Sequence, residues 1–433
     1  MLAQRNSPKV TVKPPVGKPT TLQFLFDLDS KCCTTQNNHN KIQSLDSRDE
    51  EVSSIISFCT GSRSDDQEFA LKRLKLTQLL SIIKTSLTQI SYQTLDVLFK
   101  MVAANLFRPL RPPSSAVCLT IVEDDDVITI PSADWAYLQI IYDILLRLII
   151  KLDVTSVLGE NNGGSRILNQ GPPMGEIFIT RTFILNLLTL FNSDDLRERD
   201  AVKNIIHRIY SKFTTHRSFI RKSMTDILLH FTYETDHRQN GIAEILEIWG
   251  SIINGFTVPL KDQHKLFLFR VLIPLHKPTN MMVYHRQLVY CVSQFVQKDG
   301  ELGGMVIGKI LRVWPVTNCL KEVLLIGELE EIVGIIDRRQ YLTVAIRLSN
   351  RIAKCIKSNN SQVAERALYL WNNESFTRVV SQDMEMVSPI LVEAIEMNLK
   401  LHWSKNVQEL TQSVKKLLQE LNPLVYKKCI GYK

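Results

Sequence analysis

The chain of 433 residues can bury a large core, either as two or three domains or as one extended array. It is 45% apolar and 22% charged, an ordinary soluble composition. Its formal charge of +8 is not gathered into a long Lys/Arg run, which describes a solvated basic surface and argues against a nucleic-acid partner.

The first 64 residues are expected to form a largely disordered or irregular arm: Pro8, Pro14, Pro15 and Pro19 crowd its start, and 30–64 is polar with little periodicity beyond a helical turn at 52–58. Helical patterning begins near Asp65. Phe69, Leu71, Leu74, Leu76, Leu79, Leu80, Ile82 and Ile83 recur at spacings of three and four. A second helix is predicted over 91–104, ended by Pro109, Pro112 and Pro113, and an acidic loop follows at 123–126. The apolar run 138–152 lies inside a helix predicted at 136–152. Asp143, Arg147 and Lys151 interrupt it, and it is too short and too charged for membrane insertion. The Gly/Pro-rich stretch 153–177 reads as an irregular loop. Helices then follow closely at 178–191, 194–212 (with Ser193 as its cap), 217–233, 241–255, 261–273, 284–297, 301–314, 320–336, 341–357, 361–371, 375–381, 387–400 and 403–421. No strand alternation competes, so the chain is predicted to be all-α, with a helical array over 65–425 and a short tail at 426–433.

Two helix starts resemble each other, at Asp195–Val202 and Gln362–Leu368. Their arginines, Arg199 and Arg366, lie about four repeats apart if one takes ~40–47 residues per HEAT repeat. Paired helices with short connections of this kind predict an α-solenoid of HEAT-like repeats.

Chemistry-bearing motifs are absent: there is no GxGxxG after a strand, no Walker loop, no HExxH and no GxSxG. The eight cysteines (Cys32, Cys33, Cys59, Cys118, Cys291, Cys319, Cys355, Cys429) include no CxxC pair, which predicts reduced thiols in the cytoplasm or nucleus, with no zinc site. His207 and His264 have no third ligand at metal-site spacing. The acidic residues Glu328, Glu330 and Glu331 share a helix, where they form either a solvated face or a contact with a partner. A binding scaffold with no cofactor is therefore favoured over an enzyme.

The stretch 204–264 sets basic and imidazole side chains (His207, Arg208, Arg217, Lys261, His264) among apolar runs that must pack. Ionisable groups in such surroundings face solvent or a partner. Two or three helices edging a groove for an acidic peptide account for the pattern. Ile248 and Ile252, at i and i+4, can present one face to an aliphatic anchor, or can be plain core. Lys261 and His264, three apart, can share a helical turn and hold a carboxylate. Cys291 and Cys355 read as small core residues, and Trp314, Trp371 and Trp403 as packing anchors between repeats.

Several longer blocks are specific. They include NLFRPL at Asn105–Leu110, HRIY at His207–Tyr210, FIRK at Phe219–Lys222, NGIAE at Asn240–Glu244, GSIINGF at Gly250–Phe256, LIPLHK at Leu272–Lys277, GELEE at Gly327–Glu331 and QVAERAL at Gln362–Leu368, running on to WNNE at Trp371–Glu374. With these the chain resembles the B-prime regulatory subunits of protein phosphatase 2A from about residue 65 to its C-terminus, and details such as His276-Lys277-Pro278 look most like plant members. The resemblance implies a non-catalytic HEAT-like solenoid that joins a phosphatase scaffold subunit and a catalytic subunit and recruits phosphoprotein substrates through short acidic LxxIxE motifs. By the same resemblance the motif would be held by His207, Arg208, Tyr210, Arg217, Glu247, Ile248, Ile252, Lys261 and His264. An adaptor or transport scaffold unconnected with a phosphatase would share the fold without those residues. The chain departs from the family in the Gly/Asn/Pro composition of 153–177, in one extra residue at 237–239, in a shorter acidic stretch before Trp135, and in Trp249, where a smaller apolar residue is usual.

Overall fold

A computed structural model describes residues 45–60, 66–86, 92–110, 132–152, 174–234 and 239–431. All regular structure among these residues is helical. The expectations for the first 44 residues, for the acidic loop, for 153–173 and for the inserted residue near 237 lie outside them, apart from Gln239. The chain divides into two compact units. The first takes residues 1–108, 131–183 and 200–214; the second takes 109–130, 184–199 and 215–433.

The first unit contains α1 (Leu45–Thr60), α2 (Asp66–Ser86), α3 (Tyr92–Leu106), α4 (Ser132–Lys151) and α5 (Met174–Phe178). Helices α6 (Arg181–Thr189) and α7 (Leu196–Lys212) each contribute residues to both units. Helix α1 packs on α3, and α2 on α4. The apolar spacing of three and four places Leu76, Leu79 and Ile83, Leu98, Met101 and Val102, and Ile141, Ile144, Leu145 and Leu148 in one fully buried core. At the end of this core Phe99 stacks on Phe178 with centroids 5.0 Å apart, and Phe183 meets Phe99 and Phe107 edge-on. Two expectations change here. Residues 45–60 form a full helix whose Val52, Ile55, Ile56 and Cys59 are buried, where only a turn at 52–58 was predicted within the arm. The loop predicted over 153–177 ends in α5, which the Phe178 ring anchors. Gly175 makes that seat possible, because a Cβ there would lie 2.4 Å from the Phe213 ring.

The second unit continues with α8 (Arg217–Tyr233), α9 (Ile242–Asn254), α10 (Asp262–Phe267), α11 (His285–Lys298), α12 (Leu302–Arg312), α13 (Cys319–Ile335), α14 (Arg338–Leu342), α15 (Ala345–Ile356), α16 (Ser361–Tyr369), α17 (Glu374–Ser381), α18 (Met384–Leu401), α19 (Lys405–Leu421) and α20 (Pro423–Gly431). The last of these occupies what the sequence suggested was a tail. Two layers are evident: α9, α11, α13, α16 and α19 pack in succession, and so do α12, α15, α18 and α20. The repeat shows in hydrogen bonds between successive pairs. Cys291 bonds the Leu246 carbonyl 45 residues away, Lys298 the Asn254 carbonyl 44 away, Arg338 bonds Asp383 45 away, Asn373 bonds Glu330 43 away, and His402 the Ser358 carbonyl 44 away. That period is the HEAT length predicted from the two arginines.

Caps punctuate the array. Asn318, Asp337, Asn360, Asn373 and Ser404 each accept a bond from a backbone N–H in the first turn of the helix they precede. The cap predicted at Ser193 is Asp195 instead, whose Oδ1 accepts from Arg197 N at 2.8 Å, while Ser193 Oγ accepts from Asp195 N. Gly241 stands at φ 79° before α9, packed on the Phe191 backbone, where any Cβ would clash. Of the predicted anchors, Trp314 and Trp371 are buried, but Trp403 is 71% exposed, its indole N–H on the Asn359 carbonyl and its ring beside that of the adjacent His402. Its ring therefore lies on the surface and anchors little. Cys291 and Cys355 are buried, as predicted.

Helix α10 does not run on to residue 273 as a simple α-helix. It widens to a π-helix at Leu268–Leu272 and tightens to a 3-10 turn at Ile273–His276. Pro274, which lacks an N–H and crowds the preceding turn, sits at that change. The 3-10 turn ends in a buried polar cluster. His276 Nδ1 bonds the Ile273 carbonyl at 2.8 Å and its Nε2 bonds Glu328 at 3.0 Å, while His285 Nε2 reaches the same carboxylate at 3.1 Å. Lys321 Nζ donates to the carbonyls of His276, Lys277 and Pro278 at 2.9, 3.1 and 3.0 Å. A carbonyl can only accept and an ionised carboxylate can only accept, so both ring nitrogens of His276 donate and the ring is an imidazolium. Burial raises the Glu328 pKa, but the His276 charge and the bonds from both histidines outweigh it and pull it down to about 2. Burial lowers that of His276, and Glu328 outweighs it in turn, leaving it raised. Glu328 is thus sealed inside the fold and cannot be the partner contact considered for it. Glu330 is held by Arg366 and Asn373, and of the three acids only Glu331 is exposed.

Removing the Glu328 charge strands the buried His276 imidazolium, so Glu328→Gln should lower stability by about 3–5 kcal/mol, read as a fall in the urea midpoint by circular dichroism. In the wild type the Glu328 contribution is present above the ordinary carboxylate pKa of 4.5 and is lost as pH falls toward about 2. Glu328→Gln should flatten that acid limb; an unchanged limb would show that other carboxylates govern it.

Candidate functional site

Of the nine residues singled out for peptide binding, His207, Arg208 and Tyr210 belong to the first unit and the other six to the second. In α7 the apolar side chains of Val202, Ile205, Ile206 and Ile209 are buried, and this period leaves His207, Arg208 and Tyr210 half-buried beside them. Burial, followed by the charges of Arg208 and Lys203, depresses the His207 pKa below its ordinary value. The ring is therefore neutral at pH 7, beside a permanent guanidinium.

In the second unit Arg217 opens α8 and is half-buried. On α9, Glu247 is exposed and accepts a hydrogen bond from Gln287 Nε2 at 3.2 Å. Ile248 and Ile252 share a face, as their spacing requires, but they are only 2% and 6% exposed. Of the two readings open for them, the structure makes them packed core, with only the edge of Ile252 uncovered. Trp249 stacks on Phe267 with centroids 3.9 Å apart, so its larger ring fills space between α9 and α10.

Lys261 is exposed and stands immediately before α10, with His264 one turn on. The His264 imidazole lies flat on Phe256, centroids 3.7 Å apart and planes 1° from parallel, and its buried Nδ1 has no hydrogen-bond partner. Burial lowers its pKa, and the charges of Lys261 and Arg221 lower it further. Arg221 was not among the residues picked out from the sequence. Its signal was present in the i,i+4 spacing from Arg217 along α8, but the field it exerts on His264 depends on how α8 and α10 are placed. Two cations beside a ring-stacked imidazole form a local environment that attracts a carboxylate.

Among the described residues, no group of three or more His, Cys, Asp or Glu side chains is placed to hold a metal ion, and no helix is long and apolar enough to cross a membrane. Removing the neighbouring cation relieves the His264 imidazolium, so Lys261→Ala should raise its pKa toward 6.5. An NMR pH titration of the His264 ring protons measures this, and an unmoved midpoint would place Lys261 too far away to matter.

Residues 34–162 and 165–433 match the family of protein phosphatase 2A regulatory B subunits known as the B56 family. The chain is 41% identical over 360 residues to a rice protein, the kappa isoform of the 57 kDa B' regulatory subunits of serine/threonine protein phosphatase 2A, covering 83% of this chain and 67% of the relative. It is 41% identical to the B' beta isoform of Arabidopsis thaliana, over 83% of this chain and 69% of that one. It is 40% identical to the Arabidopsis B' delta isoform, over 87% and 76%.

Proposed function

The chain belongs to the B56 family of protein phosphatase 2A regulatory B subunits, and we propose that it joins the scaffold and catalytic subunits of that phosphatase and recruits substrates through LxxIxE-type motifs. It is a regulatory subunit and carries no catalysis of its own. The observation that carries the recruiting role is the exposed Lys261 one turn before the His264 ring stacked on Phe256, at the start of α10. These two side chains, with Arg221 nearby in the electrostatic sense, suit the glutamate of such a motif. His207 and Arg208, neighbours on α7 in the first unit, suit a phosphate, which carries about −1.5 to −2 charges. Ile248 and Ile252 stiffen α9 from within and offer an aliphatic side chain only an edge. The family match also decides against an adaptor unrelated to a phosphatase. The described cysteines are all free thiols, and burial raises the pKa of Cys59 to about 11 and that of Cys355 to about 12, chemistry that suits a reducing compartment such as the cytoplasm or nucleus.

Fluorescence polarisation with an LxxIxE phosphopeptide tests the recruiting role. We expect micromolar binding by the wild type, about tenfold weaker binding by Arg208→Ala, and a larger loss in Lys261→Ala/His264→Ala. Co-purification with the scaffold–catalytic pair is the companion measurement. A folded chain that assembles but ignores the peptide lacks this recruiting site, and one that binds the peptide but does not assemble overturns the scaffold role.

A further inference from the structure

A second anion-attracting place lies in the second unit, between α12 and α15. A cavity of about 260 Å³ is lined by Arg312 of α12 and by Arg347, Asn350, Arg351 and Lys354 of α15, with Gly308 and Leu311 completing its wall. Arg347 and Arg351, and Asn350 and Lys354, are each four apart, so these α15 residues lie along one side of that helix. Arg312, Arg347 and Lys354 are exposed and Arg351 is half-buried. Among the described residues, no carboxylate lies within ion-pairing distance of any of these four cations. Elsewhere in this unit several cations are matched: Arg199 with Glu244, Lys265 with Asp299, Arg338 with Asp383, Arg366 with Glu330 and Lys415 with Glu396. Four like charges around one small cavity repel one another, and an anion placed among them removes that penalty.

The place is also preorganised. Arg351 lies over the Trp314 ring, 5.4 Å from its centroid, and the Trp314 indole N–H is held by Glu322 at 2.7 Å. Arg347 donates to the Thr343 carbonyl at 3.3 Å. Guanidiniums fixed in this way lose little freedom when they grip an oxyanion, and their forked donors fit a phosphate better than a lone ammonium does.

The neighbourhood narrows the ligand further. Gly304 faces Thr343 and Gly308 faces Arg347, so α12 lies alongside the chain as it enters α15. Met305, seven residues before Arg312 on α12, Leu342 at the end of α14 and Ile346 in the first turn of α15 are exposed apolar side chains. Seven helical residues separate Met305 from Arg312, roughly 10 Å at ~1.5 Å per residue. An extended peptide covers that distance in about three residues. A nucleic acid would want open aromatic faces for its bases, whereas the Trp314 face is already covered by Arg351.

We propose that the groove between α12 and α15 is a docking site for a phosphorylated, acidic peptide segment. The phosphate is held by Arg312, Arg347, Arg351 and Lys354, and an apolar side chain about three residues away rests on Met305, Leu342 and Ile346. The site is separate from the residues assigned to the LxxIxE motif and gives this chain a second contact with a phosphoprotein, which linkage through one polypeptide turns into added avidity.

The test uses the full chain and a fluorescein-labelled octapeptide with leucine three residues before a phosphoserine, flanked by aspartates and lacking the LxxIxE pattern. In fluorescence anisotropy we expect saturable binding that weakens about tenfold when the serine is unphosphorylated, and by as much in Arg347→Glu/Lys354→Glu. The same variant should bind the LxxIxE phosphopeptide within about twofold of wild type, since the sites share no residue. Arg312→Ala, a milder surface change, should weaken the octapeptide about three- to tenfold and serves if the double variant melts early by circular dichroism. Equal binding of both serine forms, no binding, or binding untouched by either variant would overturn the proposal and leave a solvated basic face. Binding of single-stranded RNA or anionic vesicles that the phosphopeptide does not displace would also overturn it, as would octapeptide binding abolished by millimolar inorganic phosphate alone.

Discussion

Glu328 is the group on which the second unit turns. A carboxylate wholly removed from water is costly unless it is met by charge and hydrogen bonds, and here it is met by two histidines from separate elements. The bond from His276 fixes the end of the 3-10 turn. The bond from His285 fixes the start of α11, and Glu328 itself belongs to α13. Lys321 then takes the three carbonyls left open where the chain leaves that turn. One buried anion therefore sets three successive elements against each other. Its influence reaches the candidate site because the segment it pins at His276 begins, in α10, with Lys261 and His264.

The same economy of charge runs through the array. Lysines close the carbonyl ends of earlier helices more than once: Lys151 on Ile83 and Lys84, Lys298 on Asn254 and Phe256, Lys321 on the turn after His276. Each donor lies one helical repeat or more from its acceptor, so the bonds tie neighbouring repeats where apolar packing alone would let them slide. At two places, the start of α10 and the groove of α12 and α15, cations stand close together, and the positive charge at each is what an anionic partner would neutralise.

Much of the fold was legible because helical periodicity is a local property. Apolar residues every three or four positions announced most helices, and the WNNE and QVAERAL blocks carried the family. Other features were not legible, for reasons that differ from residue to residue. Helix α5 depends on one phenylalanine finding Phe99. Asp195 displaced Ser193 as the cap because the chain enters α7 two residues later than its apolar pattern suggested. Glu328 and Glu330 looked like a solvated acidic face because a helix with one acid every two or three residues usually is one. Their partners, His276 and Arg366, lie 52 and 36 residues away. Ile248 and Ile252 had the right spacing for an open anchor, but whether a stripe is covered depends on what packs against it.

The sequence by itself determined that this chain is an all-helical repeat array of a phosphatase regulatory family, since periodicity, caps and long residue blocks are written along the backbone and survive without coordinates. Only the tertiary structure decided which charges are spent inside the fold and which remain for a partner. That decision depends on distances between residues some forty to fifty positions apart. Repeats bring such residues together in space, and no local pattern records which of the many acids and bases at that spacing will meet.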